Sequence, residues 1–322
     1  MAALATRVLK MLEARRGDFL SGQEIADEND VSRTAVWKAI SALRASGHVI
    51  SAVTRQGYRL ENSSDRLSEA GIRLALGASF SETEILIYDT LPSTNTTAKE
   101  LATRGASRDA AVLAEGQSSG RGRRGREFFS PYGSGLYMSV LINLDIPTRD
   151  ATVLTLLAAN AVCRALQKLY AVTPEIKWVN DIFIGKHKVC GILTEALNDV
   201  ESARMTSAII GIGINVSTES AQFPKELRDI AASVGNTRGV TRNHLAAEII
   251  NGLLSGTKSL HRLEILEEYK RRSRVLGRDI KFTENNTICH ARARDIASDG
   301  GLIIEERGEM RTIYCSDVSI CL

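Results

Sequence analysis

The sequence predicts an α+β protein in three parts, on three observations. Three helical segments and a short hairpin occupy the first sixty residues. From about residue 84 to 216, strands joined by tight turns are interleaved with two helices. After residue 278 only short strand-length runs remain, separated by Asn and Gly turns. Strands joined this way make a mostly antiparallel mixed sheet with helices on one side, unlike the regular βαβ rhythm of a doubly wound fold. The expected division is a winged helix-turn-helix over 1–65, a central α+β domain over 66–272 and a small β-barrel over 273–322.

In the first part, Leu4, Val8, Met11 and Leu12 recur at helical spacing, and Gly17 can end that helix. Ser21-Gly22-Gln23-Glu24 is a capping box. Ser32 caps a third helix that carries Val36, Ile40 and Leu43 on one face and stops at Gly47. Val49–Val53, a turn at Arg55-Gln56-Gly57 and Tyr58-Arg59-Leu60 form a two-stranded wing. Thr34, Lys38 and Ser41 point away from the apolar face, with Arg33 and Arg44 beside them. Such a helix suits the major groove, with the arginines and wing residues Arg55 and Arg59 on phosphates. A winged helix that binds protein is the alternative. Charge favours DNA: residues 1–60 hold nine Lys/Arg against six Asp/Glu, the whole of the net +3. Residues 61–65, Glu-Asn-Ser-Ser-Asp, read as a polar linker.

Five cysteines stand at 163, 190, 289, 315 and 321. No C-x-x-C spacing and no Cys/His ligand pattern occurs, which argues against a disulfide framework and a structural zinc. A reducing compartment fits. The N-terminus lacks the apolar segment of a signal peptide. No run reaches the ~18 apolar residues of a membrane helix. A cytoplasmic protein with no membrane partner is expected.

In the central part, Ile85–Tyr88 and Ala111–Glu115 read as strands, with a turn at Pro92 and a helix to Leu101 between them. Leu136, Met138, Val140, Ile142 and Leu144 alternate, as in a half-buried strand. A long helix over about 150–170 follows, then strands near 176–179, 181–197 (turned at Gly185-Lys186-His187) and 207–216.

Gly120-Arg121-Gly122-Arg123-Arg124-Gly125-Arg126 places four arginines and three glycines in seven residues. Glycine lets a backbone approach a ligand, and arginine forks bind phosphate oxygens in pairs. Four adjacent guanidiniums repel until an anion settles them. Arg-Gly segments also bind RNA, but this single copy is held between strands, which favours a polyphosphate ligand. It lacks the Walker pattern. Lys177-Trp178-Val179-Asn180-Asp181 is followed seven residues later by Lys188, which can return across a hairpin. Together they can hold Mg²⁺ on the carboxylate and a phosphate or carboxylate on the ammonium. Gly211-Ile212-Gly213-Ile214-Asn215 carries two glycines in a strand, where something approaches the backbone closely.

Taken in order, Ser93-Thr94-Asn95, Gln117, the arginine-glycine loop, Lys177-Trp178-x-Asn180-Asp181, Lys188-Val189-x-Gly191-Ile192-Leu193 and Gly211-x-Gly213-Ile214-Asn215 resemble the biotin–protein ligases. The resemblance covers nearly the whole chain. With the winged helix it points to the bifunctional branch that also represses biotin genes. It implies ATP-dependent formation of biotinyl-5′-AMP and transfer of biotin to a lysine of the biotin carboxyl carrier protein of acetyl-CoA carboxylase. It also implies a homodimer when the adenylate is bound, and operator DNA as partner. Ser93, Thr94, Asn95 and Gln117 are implied to bind biotin's ureido ring. Arg121, Gly122 and Arg123 would close over biotin and the phosphates. Arg123, Arg126, Asn180, Asp181 and Asn215 would face ATP, with Mg²⁺ on Asp181. Lys188 would hold the carboxylate, then the acyl phosphate, making Lys188, Arg123 and Asp181 the catalytic set.

Two departures stand out. The family usually has proline where this chain has Val179, so the turn before Asn180 is expected to be less rigid. The aromatic pair after the loop is Phe128-Phe129, without the usual indole donor. In the tail, residues 242–270 read as helix, and turns at 285–286, 298–301 and 307–308 separate short strands. Cys289 and His290 are expected to pack. Competing readings are a lipoate-type acyl ligase on the same scaffold, a ligand-sensing transcription factor without activity, and a nucleic-acid binder that uses the arginine run directly. An intact set of Arg121, Arg123, Asp181 and Lys188 argues against the second.

Overall fold

The computed structural model describes residues 2–199, 204–284, 287–314 and 318–321. The chain divides into two compact units, one of residues 1–81 with 237–247, the other of 82–236 with 248–322.

The first unit contains α1 (Ala2–Ala14), α2 (Gly22–Asn29), α3 (Arg33–Ala45), a hairpin of β1 (Ile50–Val53) and β2 (Gly57–Leu60), and α4 (Glu69–Ala75). Val8, Leu12, Ile25, Val36, Ile40, Leu43 and Leu60 share one core. Ser21 Oγ accepts from Glu24 N at 3.0 Å and Ser32 Oγ from Ala35 N at 3.2 Å. Only half of the expected capping box forms, because the Glu24 carboxylate pairs with Arg15 at 2.6 Å. The wing is laced to the loop before α2 by Leu20 and Tyr58, each N–H donating to the other's carbonyl at 2.8 Å. Gly57 is required there: its φ is +108°, and a Cβ would stand 2.0 Å from Leu20 O.

The polar stretch 61–65 is not a free linker. Val49 N donates to Ser64 Oγ at 3.0 Å, and Arg16 Nη1 to Ser64 O at 2.8 Å. Asp65 accepts from Arg242 N at 2.6 Å and Nε at 2.9 Å. Asn243 accepts from Ser68 N at 2.9 Å and donates to Arg66 O at 3.0 Å. Both Arg242 and Asn243 are buried.

The second unit is built on a seven-stranded sheet of β3 (Glu84–Leu91), β4 (Ala110–Gln117), β5 (Gly135–Pro147), β6 (Pro174–Lys177), β7 (Asp181–Ile184), β8 (His187–Asp199) and β9 (Arg204–Asn215). Its order is β3-β4-β5-β9-β8-β7-β6, parallel only between β3 and β4. Helices lie on both faces, not one. Thr194 bonds Thr155 of α6 (Ala151–Tyr170) at 2.8 Å, while the next residue, Glu195, accepts from Asn95 of α5 (Thr94–Thr103) at 2.7 Å. Successive strand residues point to opposite faces. Strand β5 is therefore buried on both sides from Gly135 to Ile142, where alternation alone suggested one. Among the described residues no helix is long and apolar enough to cross a membrane.

The segment read as one helix over 242–270 is two, α7 (Arg242–Lys258) and α8 (Arg262–Arg272). The break resets the helical phase: Ile265, Leu266 and Tyr269 turn inward and Leu263 is left exposed. The tail is a five-stranded antiparallel sheet of β10 (Asp279–Glu284), β11 (Thr287–Ile296), β12 (Leu302–Glu306), β13 (Glu309–Ile313) and β14 (Val318–Ile320), in the order β13-β12-β11-β10-β14. Among the described residues its edges β13 and β14 do not pair, so the expected barrel is here an open sheet. The turn expected at 285–286 lies outside the described residues, as does Cys315. His290 is exposed and Cys289 only half-buried, so neither packs as expected.

Candidate functional site

A cavity of about 470 Å³ opens in the second unit, and every residue expected to meet biotin or ATP lines it. Its floor is β8 and β9, where Gly191 and Gly213 are cross-strand partners. The Phe128 ring lies over both: a Cβ on Gly213 would stand 2.5 Å from Phe128 Cε1, and one on Gly191 3.2 Å from Cε2. At Gly211 a Cβ would stand 2.0 Å from Asn95 Oδ1. The close approach anticipated at this glycine pair is thus made by the Asn95 and Phe128 side chains.

One end of the cavity is a polar cradle. Ser93 is the N-cap residue of α5, and Thr94 and Asn95 open the helix. Thr94 N donates to Gln117 Oε1 at 2.8 Å. Gln117 Nε2 donates to Ser130 Oγ at 3.0 Å. Ser139 Oγ lies 2.7 Å from Thr94 Oγ1 and 2.6 Å from Asn95 Oδ1. All these groups are buried or half-buried, so their hydrogen bonds are needed.

The arginine-glycine loop folds back on itself, with Gly122 N donating to Arg126 O at 2.7 Å and Phe128 N to Gly120 O at 2.8 Å. A Cβ at Gly120 would stand 2.5 Å from Phe128 O. Arg121 Nη2 reaches Thr96 Oγ1 at 2.8 Å, and Arg123 Nη1 reaches Asn180 Oδ1 at 3.3 Å. The loop therefore touches α5 on one side and the β6–β7 turn on the other. Arg126 lines the cavity, while Arg124, at φ +56°, does not.

In the β6–β7 turn the Trp178–Val179 peptide is cis. Trp178 Nε1 donates to Gly300 O at 3.1 Å, and Tyr269 Oη donates to Val179 O at 3.1 Å. Burial pushes the Tyr269 phenol well up, which keeps it a donor. Asn180 Nδ2 donates to Ile192 O at 2.8 Å, and Ile192 N to Asn180 O at 3.0 Å. The turn expected to be loose is held by side chains on both flanks. Asp181 Oδ1 and Lys188 Nζ are 2.7 Å apart. Asn215 Nδ2 donates to Ala232 O at 3.3 Å, and Lys188 N to Ile230 O at 2.8 Å, so 230–234 walls the far side.

Among the described residues no three His, Cys, Asp or Glu side chains cluster as a metal cage. Asp181 offers one carboxylate inside the cavity. That suffices for Mg²⁺ arriving on nucleotide phosphates, which uses one or two carboxylates and phosphate oxygens.

On α3 the residues expected to face DNA all lie outside the core: Arg33, Thr34, Lys38 and Arg44 are exposed and Ser41 half-buried. Arg44 Nε donates to Ile50 O at 2.8 Å, which ties the helix to the wing. Ser41 Oγ donates to its own helix at Trp37 O. Arg55 stands at the wing turn with φ +70°. Arg59, expected on phosphate, pairs with Glu61 at 2.8 Å and stacks 4.5 Å over the Phe19 ring.

Sequence reasoning missed several residues. Ser139 looked like one polar position in an alternating strand. Glu195 and Ser130 carried no motif. Trp37, 57% exposed on α3, shares the helical spacing of Thr34, Lys38 and Ser41 and was also passed over.

Comparison with known proteins places these features in context. The "Biotin/lipoate A/B protein ligase family" matches residues 87–215, the "HTH domain" family 5–59, and the "Biotin protein ligase C terminal domain" family 275–320. The chain is 35% identical over 329 residues to the bifunctional ligase/repressor BirA of Bacillus subtilis, covering 99% of each. Its identity to the bifunctional ligase/repressor BirA of Escherichia coli is 28% over 316 residues, covering 94% of each. A biotin protein ligase from Aquifex aeolicus, solved in complex with biotin and ATP, shares the fold at a TM-score of 0.62 and 23% identity, over 74% of this chain and 99% of that one.

Proposed function

The chain belongs to the bifunctional biotin ligase/repressor family, and we propose that the cavity described above joins biotin to ATP and delivers the biotinyl group to a carrier lysine. The protein is an ATP-dependent biotin ligase and a DNA-binding repressor. One observation carries the residue assignment: the arginine loop bonds Thr96 on one side and Asn180 on the other, while Lys188 and Asp181 pair in the same cavity.

Biotin's carboxylate attacks the α-phosphorus of ATP, pyrophosphate leaves, and biotinyl-5′-AMP forms. A deprotonated lysine of the biotin carboxyl carrier protein then attacks the acyl carbon and AMP leaves. Ser93, Thr94, Asn95 and Gln117 hold the ureido ring. Gly122 lets the loop close over biotin. Arg121 and Arg123 neutralise the phosphates, and Arg126, Asn180 and Asn215 face the nucleotide. Lys188 exchanges Asp181 for the substrate carboxylate and follows its charge onto the acyl phosphate. Asp181 would then be released to hold Mg²⁺, which supplies further charge neutralisation. Positioning and electrostatics do the work, with no covalent enzyme intermediate.

The adenylate-bound protein forms a homodimer, and α3 of each copy, through Arg33, Thr34, Lys38, Ser41 and Arg44 with Arg55 of the wing, enters a two-fold operator. The setting proposed is a reducing, cytoplasmic one, which suits the free, buried thiols of Cys163 and Cys190. Incubation with ATP, magnesium, radiolabelled biotin and a carrier domain should label the carrier. Absence of label with an intact carrier lysine would refute the ligase reading.

A further inference from the structure

The groups of the polar cradle form one hydrogen-bond chain, joined in the middle through the Thr94 backbone N–H, and both of its ends are pure acceptors. At one end the Glu195 carboxylate takes a hydrogen bond from Asn95 Nδ2 at 2.7 Å. At the other the Phe128 carbonyl takes one from Ser130 Oγ at 2.8 Å. A carboxylate and a carbonyl have no proton to give, so every proton between them must point outward. This settles which way the amides face, which heavy-atom positions alone leave open.

From the Glu195 end, Asn95 must turn Nδ2 toward Glu195 and hence Oδ1 toward Ser139. Ser139 has one hydroxyl proton and two oxygen neighbours, Asn95 Oδ1 at 2.6 Å and Thr94 Oγ1 at 2.7 Å. Asn95 Oδ1 can only accept, so it takes that proton, and Thr94 donates to Ser139, which leaves the Thr94 hydroxyl no proton for Gln117 Oε1 at 3.3 Å. From the other end, Ser130 gives its proton to Phe128 O and must accept from Gln117 Nε2. Gln117 Oε1 therefore faces Thr94 N. Among the described residues the two amides then keep one lone pair on Asn95 Oδ1, one on Gln117 Oε1 and one N–H on Gln117, beside the lone pairs of Thr94 Oγ1 and the Ser93 hydroxyl that also line the cavity. Two acceptors and a donor match a cyclic urea, which has two N–H donors and one carbonyl. A dithiolane ring offers neither, and would leave buried polar groups unpaired.

We infer that Glu195 and Ser139 are positioning residues that fix the proton direction of this cradle and so select a cyclic-urea acid over a lipoyl-type acid. The inference rests on the biotin-ligase reading of the cavity. Neither residue need touch the ligand; each acts through Asn95 and Thr94.

Glu195→Gln and Ser139→Ala are near-isosteric and should fold. Glutamine can donate as well as accept, which frees Asn95 to flip. Alanine removes the proton that Asn95 Oδ1 accepts. Adenylation is followed by pyrophosphate release, with biotin and ATP varied separately. Each variant should raise KM for biotin by roughly tenfold or more, on the scale of one or two lost hydrogen bonds. KM for ATP and kcat should stay within about threefold, a split that a general loss of structure would not give. Desthiobiotin, which keeps the urea, should weaken in parallel. Any residual lipoate turnover should be unchanged, so the preference for biotin over lipoate narrows. Unchanged KM for biotin in both variants overturns the inference, as does an equal rise in both KM values. The ligase reading fails separately, if the wild-type chain releases no biotin-dependent pyrophosphate.

Discussion

Lys188 Nζ lies 2.7 Å from Asp181 Oδ1, and the two residues stand on strands joined by a turn of only two residues. The turn is Gly185-Lys186, with Gly185 at φ +57°. A hairpin this tight fixes the ammonium within the cavity without needing a long side chain to search for it. The pair is a cation resting on an internal carboxylate that a substrate carboxylate can replace.

Lys188→Ala should lose about 3 kcal/mol of transition-state stabilisation, roughly a hundredfold in adenylation, the scale of one lost oxyanion donor. Pyrophosphate release under saturating biotin and ATP measures it. Normal rates in this variant would remove Lys188 from the mechanism.

Gly211→Ala puts a methyl where Asn95 Oδ1 stands, 2.0 Å from the new Cβ. Overpacking of this kind costs about 1–3 kcal/mol. Calorimetric titration should show biotin affinity falling far more than ATP affinity, because only the cradle is displaced.

Burial pushes the Cys163 thiol up to about 12 and that of Cys190 well up also. Both stay protonated and unreactive across neutral pH. Iodoacetamide at pH 8 should modify the half-buried Cys289 and Cys321, and mass spectrometry of peptides should find Cys163 and Cys190 unlabelled. Unfolded thiols ionise from about pH 8.5, whereas these do not. Stability contributed below that pH is therefore lost as pH rises toward 12. Chemical denaturation at pH 7 and pH 10 should show the decline.

The chain has two tryptophans, Trp37 exposed on α3 and Trp178 3% exposed in the second unit. Operator DNA added to protein with biotin and ATP should change Trp37 emission and leave Trp178 silent. A change that persists in Trp37→Phe would mean that α3 is not the face that meets DNA.

Much of this architecture was legible in the sequence because it is written in local rules. Ser21 and Ser32 cap where capping predicts, and Val36, Ile40 and Leu43 bury where helical periodicity predicts. The arginine-glycine loop and Lys177–Asp181 announced themselves through unusual density of charge and turn residues. What stayed hidden depends on partners far away in the chain. Ser139 matters through Asn95, 44 residues distant, and Glu195 through the same amide, 100 residues distant. No periodicity encodes such pairs. The full burial of β5 was missed for the same reason, since alternation cannot say that a helix covers the second face. The break between α7 and α8 was missed because Ser259, Leu260 and His261 between them include neither glycine nor proline to mark it.

Asp65 and Ser68 find their partners in Arg242 and Asn243, about 175 residues later. During synthesis, then, the winged helix leaves the ribosome long before the residues that complete its unit exist. At roughly 5–20 residues per second the wait is on the order of ten to thirty seconds. A nascent chain stalled before residue 242 should show this region more open to protease than the finished protein does.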